Sequence, residues 1–216
     1  MAKGERTREV ILQQGIALAY RVGLEGLTIG ALAADVEMSK SGMYAHFGSK
    51  QALQMAVLDA AAADFAQAVV VPALSEPRGE PRVRALVDAW LECGRTRRPG
   101  GCLFVKASTE MDERPGPVRD RLVELHEELD RSLARVFAGG VADGQFRPDA
   151  DPDQFAADLY GVMLGVYHRH RLLADPRAHE RARAAVDALL DAARLRPAGA
   201  QPSDGPAPVR PLEVTA

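Results

Sequence analysis

The stretch GLEGLTIGALAADVEMSKSGMYAHFGSKQAL, residues 23–53, decides how the rest of the chain is read. Gly23 and Gly26 break a preceding helical pattern. Thr28 is placed to cap a short second helix over 29–36, with Leu32 and Val36 facing inward. After a brief turn at Glu37-Met38, Ser39 caps a third helix over 40–47, in which Met43 and Phe47 form a buried i, i+4 pair. Gly48-Ser49 ends that helix and opens a fourth at Lys50. Two short helices joined by a tight turn, inside a three-helix unit, describe a helix-turn-helix. In that motif the second short helix enters the major groove of DNA and the first crosses the backbone.

Close approach to base edges requires small or polar side chains on the reading face. Lys40, Ser41, Gly42 and Ala45 meet that need, and Lys40 can donate to guanine O6 or N7. Thr28, Tyr44, His46 and Lys50 offer hydroxyl, imidazole and ammonium groups to phosphates, and the helix N-terminus at Ser39 adds backbone donors. Periodicity by itself fits equally an ordinary corner of two helices with Tyr44 half-buried. The charge pattern favours a polyanion: no acid occurs from Met38 to Leu58, whereas Lys40, His46 and Lys50 all do.

The chain as a whole has 216 residues, 47% of them hydrophobic, with 27 Lys+Arg against 30 Asp+Glu. The slightly acidic total excludes a wholesale nucleic-acid coat. No apolar run approaches the ~20 residues that cross a bilayer, and MAKGERTREV lacks the apolar core of a secretory signal. Two cysteines, Cys93 and Cys102, are too few for a disulfide scaffold. The expectation is a cytoplasmic globular protein with no membrane partner.

Outward from residues 23–53, apolar positions recur at three and four, which predicts an all-α chain. The first helix is expected over about 7–21, with Val10, Ile11, Gln14, Ala17 and Leu18 on its inner stripe. The fourth runs from Lys50 to about Val71, where Pro72 stops it. PALSEPRGEP (72–81) reads either as a domain hinge or as a surface turn. Further helices follow over about 81–95, 102–113, 117–137 or beyond, 153–173 and 177–195, and the TRRPGG turn (96–101) punctuates the first two. The Pro/Ala/Gly-rich tail after Pro197 reads as disordered. About nine helices result, divided into a DNA-binding unit over 1–48, an effector-binding and dimerisation unit over 49–196, and a tail over 197–216.

The 23–53 stretch closely resembles the DNA-binding signature of the TetR family of bacterial transcriptional regulators. The resemblance rests on Thr28, the Ser39-Lys40 start, Tyr44, the His46-Phe47 pair and Ser49-Lys50. It implies an all-α homodimer whose first three helices bind a pseudo-palindromic operator and whose remaining helices bind a small-molecule effector that releases it. On that resemblance Thr28, Tyr44 and Lys50 are phosphate anchors, Lys40, Ser41, Gly42 and Ala45 form the base-reading surface, and His46 lies between the two roles. One departure is Glu37, where many members carry Gly. A positive φ there would strain a non-glycine residue, and the carboxylate lies near the DNA. GGCLFVKASTEMDERPGPVRD (100–120) is similar to a stretch found in a subset of these regulators.

In that fold the effector pocket lies among helices four to eight, and Trp90, Phe104, Met111, Tyr160, Met163, Tyr167 and His168 are its candidate lining; each is equally a candidate for the core. The eighth helix carries Ala157, Gly161 and Gly165 at four-residue spacing. Glycine costs roughly 1 kcal/mol against alanine inside a helix, so two of them suggest close packing. With Leu164, Leu189 and Leu190 this stripe is assigned to the dimer seam, with intrachain packing as the alternative.

Other classes fit less well. GxxxxGK, GxGxxG after a strand, GxSxG and HExxH are all missing, which leaves no enzyme motif and calls for no cofactor or metal. Cys93 and Cys102 flank a Gly-rich turn and could form a thiol switch only if their Cβ atoms meet near ~4 Å; buried inert cysteines are the default. The sign of regulation, repressor or activator, is not encoded locally. A helical adaptor that has lost DNA binding is the remaining alternative to a ligand-responsive repressor.

Overall fold

The computed structural model describes residues 3–97 and 102–195. Among them are nine helices and no β-strand: α1 (Lys3–Gly26), α2 (Ile29–Asp35), α3 (Lys40–Phe47), α4 (Lys50–Leu74), α5 (Glu80–Glu92), α6 (Leu103–Met111), α7 (Pro117–Ala142), α8 (Pro152–Arg171) and α9 (Ala178–Ala193). Part of the TRRPGG turn, at 98–101, and the tail from 196 onward lie outside the described residues.

The caps expected from sequence fix the starts of the short helices. Thr28 Oγ1 accepts from Ala31 N–H at 3.0 Å, Ser39 Oγ from Gly42 N–H at 3.1 Å, and Ser49 Oγ from Ala52 N–H at 3.0 Å. Each satisfies one N–H that the first helical turn leaves unpaired. Within α1, Gly23 (φ 83°, ψ 169°) interrupts the helical geometry, as the sequence suggests. The inner stripe of α1 differs from expectation. Ile11 and Leu18 face inward together with Ile16 and Ala19, while Val10, Gln14 and Ala17 are exposed. Several apolar registers fit this helix, and packing against α4 and α6 selects one of them.

Pro72 does not stop α4. A π-turn at Ala66–Val70 widens the hydrogen-bond ladder just ahead of the ring, and the helix continues to Leu74. At 25 residues α4 is also long and apolar enough to cross a membrane by length and composition, contrary to the expectation of no such run. In this fold it instead serves as the common wall of two cores. The first joins α1, α2 and α3 to the front of α4, α6 and the start of α7 through Leu24, Leu32, Met43, Leu53, Val57 and Leu103. The second joins the end of α4 to α5, α7, α8 and α9, with Phe137 stacked between Phe146 and Phe155 at 4.5 and 4.0 Å.

The 72–81 segment is not a hinge: 72–74 complete α4, 75–79 form a surface turn, and α5 begins at Glu80, with both helices packed in the second core. Arg82 donates to Leu74 O and Glu76 O, and Gln145 ties it from the other side through Glu80 N–H and Arg78 O.

Candidate nucleic-acid interface

The α3 helix presents the edge that a groove reader needs. Met43 and Phe47 are buried beneath it, while Lys40, Ser41 and Ala45 are exposed and Gly42 is half-buried against Ser39 and Met38. Tyr44 is 52% exposed, which removes the reading of a half-buried tyrosine in a helical corner. Ser39 sits at the mouth of the helix, its hydroxyl shared with the Gly42 amide and Ser41 Oγ. The Lys40 stem crosses close to Gly30 of α2, so a side chain at that glycine would press on it. His46 is half-buried, with its ring tilted against Phe47 at 6.3 Å.

Two features of this head were not anticipated. Arg8 of α1 lies 5.5 Å over the Phe47 ring and adds an exposed cation beside α3. Lys50, expected to be free for phosphate, is instead paired with Glu25 at 3.0 Å, and Arg114 binds the other Glu25 oxygen at 2.9 Å. The Lys50 hydrogen bond, with support from Arg114, holds the Glu25 carboxyl below its usual range. Any phosphate reaching Lys50 would have to compete with Glu25 for it. Glu37 adopts the left-handed conformation that strains a non-glycine residue, at φ 54°.

The head is locked to the body by contacts distant in sequence. Glu110 on α6 accepts from the Glu25 N–H at 3.0 Å, in the space that a Gly23 side chain would take. Lys106 Nζ approaches the carbonyls of Tyr20 and Arg21 at 3.4 and 3.3 Å, near the end of α1. Gln54 of α4 is 5% exposed, and its Nε2 donates to Leu24 O at 2.7 Å.

A cavity of about 190 Å³ lies between α4, α5, α6, α7 and α8, and Trp90, Phe104, Tyr160 and Met163 line it as expected. Tyr167 lines a smaller adjoining recess, again with Trp90. Two expected lining residues do not belong. Met111 is buried in the first core among α6 and α7 side chains, and His168 is exposed on α8. His126, which the sequence offered no reason to select, does line the main cavity. The two cysteines are both half-buried and free of disulfide bonding, and both border the smaller recess.

On the outer face of α8, Ala157, Gly161, Leu164 and Gly165 are exposed, and a side chain added at either glycine would meet nothing within 4 Å. Leu190 does not share that face. It is 0% exposed in the second core, which removes it from a seam, and Leu189 is half-buried against the same core.

A groove-reading head on a helical body with an internal apolar cavity defines a DNA-binding transcriptional regulator. Residues 11–57 match the family model for bacterial regulatory proteins of the tetR family, and residues 79–186 match that of the tetracyclin repressor-like C-terminal domain. The chain belongs to the tetR family. It is 25% identical over 165 residues to the HTH-type transcriptional repressor DhaR of Mycobacterium sp. (strain GP1), covering 76% of this chain and 82% of that one. It is likewise 25% identical over 201 residues to the HTH-type transcriptional regulator TcmR of Streptomyces glaucescens, covering 89% and 84%. Among solved structures, a TetR transcriptional regulator from Chloroflexus aurantiacus J-10-FL superimposes with a TM-score of 0.82 at 26% identity, covering 91% of this chain and 100% of that one. AibR, solved in complex with isovaleryl coenzyme A and operator DNA, shares the fold with a TM-score of 0.65 at 22% identity, covering 84% and 96%.

Proposed function

We propose that the protein is a homodimeric repressor that holds a pseudo-palindromic operator and releases it when a small molecule enters the cavity between α4 and α8. The observation that carries this reading is the double engagement of α6. Phe104 and Val105 line the cavity, while Lys106 and Glu110 on the same nine-residue helix hold the end of α1. A ligand that displaces Phe104 works against the grip on the head, so the cavity and the reading edge are mechanically linked. Effector binding then favours a conformer whose two heads no longer match successive major grooves, a shift of population between pre-existing states.

Within this reading Lys40, Ser41, Gly42 and Ala45 read bases, and Thr28, Ser39, Tyr44, His46 and Lys50 position the head on phosphates. The exposed small-residue face of α8, at Ala157, Gly161, Leu164 and Gly165, is the seam between protomers. The repressor name carried by DhaR supports the assignment, and AibR, solved with both isovaleryl coenzyme A and operator DNA, supports a fold of this kind taking a small molecule as well as DNA. Electrophoretic mobility shift with genomic fragments tests it. A sequence-specific complex that weakens steeply with salt is expected, and the absence of any such complex would overturn the reading.

A further inference from the structure

The cavity contains a buried polar atom that none of the described residues satisfies. His126 Nδ1 lies 2.7 Å from Leu122 O. A carbonyl can only accept, so Nδ1 carries the hydrogen of that bond. Nε2, at the other side of the ring, is buried and has no hydrogen-bond partner among the described residues. Native proteins leave few polar atoms in that condition, and an unpaired acceptor beside a ligand-sized space invites a donor from the ligand.

The surroundings narrow the chemistry. The His126 ring stands edge-to-face with Phe104 at 6.5 Å and Tyr160 at 5.8 Å, and all three line the cavity. Burial pushes the Tyr160 hydroxyl well above its ordinary value, so it stays a neutral phenol. Among the described residues no Lys or Arg lines this cavity, whereas Glu128 does. The Glu128 side chain is more than half exposed and its carboxylate lies 3.5 Å from Arg121, a guanidinium already shared with Asp59 and Glu124, so an anionic ligand would find no free counter-charge in the lining. A cavity of about 150 Å³ accommodates benzene, so one of about 190 Å³ takes a single ring with a short alkyl arm, or two fused rings.

Resting on the reading of this space as the effector site, we propose that it binds an uncharged, mainly apolar cyclic molecule carrying a hydroxyl that donates its proton to His126 Nε2. Phe104, packed against the same ring, carries the ligand's presence onto α6.

The chain's single tryptophan, Trp90, is in the cavity wall, so its emission reports occupancy directly. Three probes are titrated into the full-length protein at neutral pH: 4-butylphenol, butylbenzene and 4-butylbenzoate. The phenol is expected to bind about tenfold more tightly than the hydrocarbon, the effect of one net hydrogen bond, and the benzoate more weakly than either. His126→Phe keeps a ring of similar size and removes the acceptor. It is expected to bring the phenol to within about threefold of butylbenzene while leaving butylbenzene binding in place, which also shows that the variant is folded. Equal binding of phenol and hydrocarbon to the wild-type protein, or a phenol preference that survives in His126→Phe, would overturn the hydroxyl assignment alone. If none of the three probes binds, the effector-site reading of the cavity falls with it. The wild-type comparison decides the matter even if the variant fails to fold.

Discussion

Replacing Gly23 with alanine tests the joint between head and body. Gly23 holds φ 83° and ψ 169°, a region that essentially only glycine occupies, and forcing a side chain into it costs about 1–3 kcal/mol. The new Cβ would also fall 2.0 Å from Glu110 Oε1. Glu110 has a flexible side chain and can swing away, but only by releasing the Glu25 N–H that it accepts at 3.0 Å. In this partly solvated setting that bond adds about 1 kcal/mol. The sum, about 2–4 kcal/mol, corresponds to a fall of about 5–15 °C in Tm for a chain of this size. Thermal unfolding followed by circular dichroism, at fixed protein concentration, measures it. Glu110→Ala alone should cost about 1 kcal/mol, and the double variant should be more stable than the sum of the two losses by about that amount, because both single changes break the same bond. A Gly23→Ala variant as stable as the wild type, or strict additivity of the pair, would refute this account of the joint.

Four further outcomes follow from other contacts. Glu25→Gln removes the carboxylate that competes for Lys50 and should tighten DNA binding, whereas Lys50→Ala should weaken binding to all sequences and lower the salt slope by about 1; anisotropy titrations over a salt series read both. Glu37→Gly relieves a left-handed non-glycine residue and removes a negative charge near the groove, so it should raise DNA affinity, with a stability change within about 1 kcal/mol by denaturant titration. Gln54→Leu leaves the Leu24 carbonyl without its buried donor and should cost about 1–3 kcal/mol by the same titration. Glu80, bound by Arg194 and Arg84, is held down to about 2, below the 4.5 of the unfolded chain. Its contribution to stability is therefore present above pH 4.5 and fades as pH falls toward 2, so the wild-type advantage over Glu80→Gln in Tm should shrink across that window.

The parts of the fold that were legible in the sequence are those set by local chemistry. Thr28, Ser39 and Ser49 announce helix starts because a hydroxyl three residues ahead of an unpaired amide acts the same way wherever the chain goes. The exposed edge at Lys40, Ser41 and Ala45 follows from the burial of Met43 and Phe47 on the same short helix. What depends on distant partners was not legible. Leu164 and Leu190 are both leucines on amphipathic helices, yet one is exposed on α8 and the other sealed inside. Val10 and Ile11 are adjacent β-branched residues, and only the packing of α1 on its neighbours decides which is buried. The Glu110–Glu25 contact joins residues 85 apart. His126 looked like one polar residue among many on α7, and its unpaired nitrogen emerges only once Leu122, Phe104 and Tyr160 surround it.

Selection of bound duplexes from a random DNA pool, run in parallel with the wild-type protein and Lys40→Ala, tests most directly whether α3 reads DNA as one half of a two-fold assembly. The wild-type protein should enrich an inverted repeat, its half-sites engaged one helical turn or more apart, and Lys40→Ala should enrich a repeat altered at the same position in both halves. Recovery of no common sequence, or of the same unaltered repeat by both proteins, would contradict it.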